Sequence, residues 1–212
     1  MADAAPLGKA GFAAACDVSR ETLDRLDAYL SLLARWQARI NLVGAATLRD
    51  PWRRHMLDSA QLLPLVPETA HSTLDVGSGA GFPGLVLAIC GVRGVTLVER
   101  DQRKAAFLRE AARITATPVT ILTAPAERLT PRPFDVVTAR ALAPLPDLLT
   151  LARPFLGPTS RCLFLKGARV ENELTEAAKS WTMKPKLVKS RAESAGFVLQ
   201  LEGITHAGRR QS

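Results

Sequence analysis

Apolar positions in the first third of the chain step by three and four residues: Leu23, Leu26, Leu30, Leu33, Trp36 and Ile40. That is the stripe of an amphipathic helix, and Ser19 stands ahead of it as an N-cap. A second helix is predicted from Asp50-Pro51, an N-cap followed by proline at the first helical position, through Trp52, Met56 and Leu63. Residues 1–18 are alanine-rich without periodicity and read as a frayed start. From residue 72 the pattern changes to short apolar runs, predicting strands at 72–76, 95–99, 118–122, 134–139 and 161–165. Helical stretches at 83–90, 102–114, 145–155 and 168–179 lie between most of them. This alternation predicts an α/β fold, a doubly wound sheet with its ligand site at the strands' carboxyl ends. Two extended runs, 186–191 and 196–202, read as a hairpin that makes the last strand antiparallel. The division expected is a helical cap over 1–66 and one compact α/β unit over 67–212.

The densest chemical signal follows the first strand: Asp75-Val76-Gly77-Ser78-Gly79-Ala80-Gly81-Phe82-Pro83-Gly84. A strand, a glycine turn and a helix N-terminus form a cradle in which a ligand approaches the backbone without a Cβ in the way. Glu99, twenty-two residues after Gly77 at the tip of the second strand, is placed to accept from ribose hydroxyls. The spacing Gly79-x-Gly81-x-x-Gly84 also satisfies a dinucleotide fingerprint, a weak signal alone. Asp75 immediately ahead of the turn would repel a pyrophosphate but would suit the sulfonium and ammonium of S-adenosylmethionine. The run Gly77, Gly79, Gly81 behind an acid fits that cofactor better.

Further candidates close the later strands. Ala126 and Glu127 follow the third strand, where an adenine could lie against the sheet edge; Arg140 follows the fourth and Lys166-Gly167 the fifth. Loops at these positions face the reacting group in a doubly wound sheet. His55 reads by itself as a helix-face or core histidine, and no His/Cys/Asp spacing suggests a metal. Cys16, Cys90 and Cys162 form no C-x-x-C pair and read as buried thiols. No apolar run approaches the roughly 18–20 residues of a membrane span, and no signal-peptide layout opens the chain, so a cytoplasmic enzyme is expected. A net charge of +8, mostly from arginine, favours a polyanionic partner such as nucleic acid.

Taken together, Asn41-Leu42, His55-Met56-Leu57-Asp58-Ser59, the glycine loop running into Phe82-Pro83-Gly84, Ala139-Arg140-Ala141 and Leu165-Lys166-Gly167 carry a resemblance. Over residues 20–205 the chain resembles the bacterial small-subunit ribosomal RNA guanosine-N7 methyltransferases, the family once named glucose-inhibited division protein B. The resemblance implies a class I S-adenosylmethionine-dependent methyltransferase fold with N-terminal helices. It also implies methyl transfer to N7 of guanosine 527 in 16S ribosomal RNA, as naked RNA or within the small subunit. It puts cofactor contacts at Gly77, Phe82, Ala126, Glu127 and Arg140, to which the strand topology adds Asp75, Gly79 and Glu99. Arg140 and Lys166 are then expected to position the substrate. Pro125 departs from the family pattern, standing where an arginine is usual. Two other readings stay open from the residues alone: an NAD-dependent oxidoreductase, and an RNA-binding module without turnover.

Overall fold

The computed structural model describes residues 5–208. Seven strands form one sheet in the order β3-β2-β1-β4-β5-β7-β6. Strands β1 (Thr73–Val76), β2 (Val95–Val98), β3 (Thr120–Leu122), β4 (Phe134–Arg140) and β5 (Leu156–Lys166) run parallel, whereas β7 (Phe197–His206) is antiparallel to both β5 and β6 (Trp181–Lys189). Every position of β1 and β2 is buried. Helices cover both faces of this parallel part of the sheet, so even the polar Thr73, Asp75 and Thr96 are buried along with the apolar positions. This is the Rossmann-like architecture of class I methyltransferases.

Helices α4 (Gly84–Ile89), α5 (Gln102–Ile114), α6 (Leu145–Ala152) and α7 (Val170–Ala177) supply those covers. In the N-terminal region, α2 (Arg20–Gln37) begins at Ser19, whose hydroxyl accepts from the Thr22 N–H at 3.1 Å. Asp50 caps the next helical segment as expected, accepting from the Arg53 N–H. That segment is a π-helical turn, Trp52–Leu57, running into α3 (Asp58–Ala60). Phe12, Leu26, Tyr29, Leu33 and Met56 share one core with Leu85, Val86, Leu97 and Phe107, so the N-terminal helices pack directly on one face of the sheet.

Two expectations are corrected. The stretch read as a frayed start contains α1 (Gly8–Ala15). Phe12 there is fully buried, its ring 5.3 Å from that of Trp52, so the helix is held by a tertiary contact and not by periodicity. The hairpin is longer than predicted, pairing out to Trp181↔His206. Lys184-Pro185-Lys186 disguises β6, because proline lacks the ladder N–H and suits an edge strand, and β6 is one. No helix of the described residues is long and apolar enough to cross a membrane.

The sheet order decides where a ligand can sit. Connections leave β1 toward β2 and β4 toward β5, in opposite directions across the sheet, so the loops after β1 and β4 part and open a crevice between them. Because β7 is antiparallel, its first residue Phe197 pairs with the last residue of β5, Lys166. The β6–β7 link, residues 190–196, therefore lies at the same end of the sheet as the glycine loop.

Candidate active site

A cleft of about 990 Å³ occupies this crevice, lined by the loops after β1, β2, β3, β4 and β5 together with parts of the N-terminal helices and the β6–β7 link. At one end lies the glycine loop. Gly77, Gly79 and Gly81 all have positive φ, a region that disfavours side chains. Above Gly79 there is room, since a Cβ placed there would meet only the Gly77 carbonyl oxygen at 3.8 Å. Gly84 is glycine for a different reason. A Cβ there would lie 2.6 Å from that of Asp75, so α4 packs backbone-first against β1.

Glu99 is buried at the tip of β2. One carboxylate oxygen accepts from the Gly79 N–H and the other from the Asp101 N–H, each at 2.8 Å. The acid thus ties the glycine loop to the second strand while keeping further lone pairs for the cleft. Ala126 and the exposed Glu127, on the short turn Ala126–Arg128 after β3, stand on the same wall, and Pro125 precedes them.

Asp75, expected among the contacts, is fully buried beneath the loop and does not line the cleft. It accepts from the Thr138 hydroxyl at 2.7 Å, and burial raises its pKa to about 6. Its place is structural: β1 runs through the sheet centre, and an alternating strand turns Asp75 toward β4 and α4. Phe82 borders the cleft but is 97 % hidden (3 % exposed), stacked on His55 with ring centres 4.6 Å apart.

At the opposite end Arg140 and Lys166 are both held in place. The Arg140 guanidinium donates to the Arg54 carbonyl at 3.0 Å and to His55 Nδ1 at 3.2 Å. It also pairs with Asp58 at 3.3 Å and lies 4.6 Å over the Phe82 ring. Burial, then the Arg140 and Arg54 charges, depress the His55 pKa to about 3. The imidazole is therefore neutral at ordinary pH, its Nδ1 accepting from Arg140 and its Nε2–H donating to Thr47 Oγ1 at 2.9 Å. Burial pushes the Asp58 carboxyl up, with Arg140 as the main opposing influence. Gln61 links this group to the β6–β7 link: its amide donates to Asp58 and to Ser190, and its carbonyl accepts from the Arg191 N–H. Arg54 reaches the same link through Glu193 at 2.9 Å.

Lys166 donates to the Ala143 carbonyl at 2.9 Å and pairs with Glu173 at 2.6 Å. The loop it secures, residues 141–144, has Ala141 at positive φ and lays the exposed Leu142 across Gly77. Sequence reasoning missed Glu173, Gln61 and the link, and it named Asp58 only within the His55–Ser59 motif, without a role. His55-x-x-Asp58 at helical spacing was the one available signal for them.

Residues 22–197 match the family model described as rRNA small subunit methyltransferase G. The chain belongs to this family. It is 57 % identical over 196 residues to the ribosomal RNA small subunit methyltransferase G of Rhodospirillum rubrum, covering 92 % of this chain and 98 % of that one. Identity to the protein of the same name from Gluconobacter oxydans is 48 %, over 87 % and 95 % of the two chains. Among solved structures, M. jannaschii TYW2 in complex with AdoMet superposes with a TM-score of 0.57 at 14 % identity, over 80 % of each chain. A TehB-like SAM-dependent methyltransferase from Corynebacterium glutamicum gives 0.56 at 16 %, over 84 % and 98 %. At such identities the superpositions speak for the fold, and family membership speaks for the activity: this chain is a methyltransferase, not a dehydrogenase.

Proposed function

We propose that this enzyme transfers a methyl group from S-adenosylmethionine to N7 of guanosine 527 of 16S ribosomal RNA, by direct in-line attack without a general base. The observation that carries the reading is the convergence in one cleft of the glycine loop, Glu99 and the basic pair Arg140 and Lys166. The residues fit the cofactor: the wall is open above Gly79, and the buried carboxylate of Glu99 stands beside it. Glu99 and Gly79 would hold the ribose, Ala126 and Glu127 the adenine, and Gly77, Phe82 and Arg140 the remainder, with Asp75 supporting the loop from beneath. When bound, S-adenosylmethionine supplies an electrophilic methyl carbon on a sulfonium. The helices and strands around the cleft, cap 1–66 included, act by positioning.

Guanine N7 carries a lone pair and no proton, so no residue has to remove one. The groups nearest the β4–β5 end agree with that. Arg140 has no lone pair to offer, and Lys166 is engaged as a donor to Ala143 and as an ion pair with Glu173. Both can hold the O6 edge or a phosphate beside the methyl group. Near-attack positioning of this kind contributes several kcal/mol of barrier reduction. An RNA substrate also accounts for the net charge of +8. The test is to map N7-methylguanosine in ribosomal RNA from cells with and without the protein. Methylation of guanosine 527 that persists without it overturns the proposal.

A further inference from the structure

Lys166 and Glu173 form an ion pair, and both residues line the cleft. One oxygen of Glu173, Oε2, takes both the Lys166 ammonium at 2.6 Å and the Leu145 N–H at 2.9 Å. Among the described residues no donor engages the other oxygen, although the side chain is only 22 % exposed. Lys166, 7 % exposed, donates one of its three N–H groups to Ala143 and is held against Glu173 as an ion pair, so its donors are not all committed. The pair therefore presents a free donor next to a free acceptor. Guanine offers the complement on adjacent atoms, an acceptor at O6 and a donor at N1–H. Adenine reverses both, with a donor at its exocyclic amine and an acceptor at N1.

The geometry points to Glu173 as the residue that reads the N1–H of the target guanine while Lys166 reads O6, making the ion pair the base-selectivity element of the site. This inference rests on the guanine-N7 reading above. It adds a reason for rate as well as selectivity. As the N7 lone pair becomes the bond to the methyl carbon, the purine acquires a positive charge and its N1–H becomes a stronger donor. No proton leaves. A carboxylate fixed at N1–H is thus bound more tightly in the transition state than in the ground state, which is what accelerates a step. The structural alternative is that Glu173 only staples β5 to the first residue of α6 through the Leu145 N–H.

The experiment uses small ribosomal subunits reconstituted with RNA carrying guanosine, inosine or 2-aminopurine at the target, and reads N7 methylation under single-turnover conditions. Inosine keeps O6 and N1–H; 2-aminopurine keeps N7 but has no O6 and an acceptor at N1. The wild-type enzyme should methylate inosine within about tenfold of guanosine and 2-aminopurine at least about 10²-fold more slowly. Glu173→Gln should slow guanosine about 10²-fold with cofactor affinity little changed, and should narrow the guanosine to 2-aminopurine ratio by about tenfold or more. Equal slowing on all three bases would mean a staple and overturn the inference. If Glu173→Gln does not fold, the wild-type series decides: similar rates on guanosine and 2-aminopurine overturn it. Wild-type enzyme that produces no N7-methylguanosine on any guanosine substrate fails the underlying reading instead, a result distinct from methylation without selectivity.

Discussion

At the β1–β2 end of the cleft the contacts run through backbone: Glu99 accepts from two main-chain amides and three glycines turn through positive φ. At the β4–β5 end they run through side chains brought from far apart. Arg140 meets Asp58 across 82 positions of sequence and His55 across 85. Each end has its own vulnerability. A backbone cradle fails when a side chain intrudes or the chain cannot adopt the turn. A charge cluster fails when one member is removed and the others stay buried without it.

The largest effect should therefore come from Arg140→Ala, which strands the buried Asp58. Stability at pH 7 should fall by on the order of 3 kcal/mol in a denaturant titration. Adding Asp58→Asn should return at least half of that loss. Failure of the second change to rescue the first would show that the pair contributes little. Lys166→Ala should slow single-turnover methylation by about 10²-fold by misplacing the base, while Lys166→Arg keeps part of the activity. A rate that rises with pH in the wild type and loses that rise in Lys166→Arg would indicate a lysine base.

His55 sharpens the comparison through pH. Its folded pKa of about 3 lies below the ordinary histidine value of 6.5, so its contribution is fully present above pH 6.5 and is lost as pH falls toward 3. At pH 5 that loss amounts to about 2 kcal/mol. His55→Gln should remove this part of the acid sensitivity, and an unchanged slope of stability against pH between 5 and 6.5 would contradict it. The smallest stability effect belongs to the cradle. Gly79→Val should cost about 1–2 kcal/mol for its positive φ, yet abolish cofactor binding by filling the open wall. Calorimetric affinity close to wild type in the folded variant would remove the loop from the site.

Several of these features were readable before any coordinates. Glycine spacing, the acid twenty-two residues later and the alternation of apolar runs are local or periodic signals, and they identified the parallel strands, the loop and Glu99. Helix α1 was illegible because Phe12 is buried by Trp52, forty residues on, and a single apolar anchor has no period. Pro185 and the lysines beside it hid half of β6, because what makes them acceptable there is an edge position that only sheet order reveals.

The site divides along the same line. Arg140 and Lys166 were found by their places after strand ends, but sequence alone could not say that one is locked to His55 and Asp58 and the other to Glu173. Nor could it say that Asp75 turns away from the cleft, which depends on how α4 packs against β1. The chain by itself determined most of the elements, the parallel sheet and the backbone cradle, because periodicity and backbone conformation act between near neighbours. Which charges pair, which face inward and what the β6–β7 link touches were decided by tertiary structure. Those energies depend on distance and burial in space, and separation along the chain does not encode either.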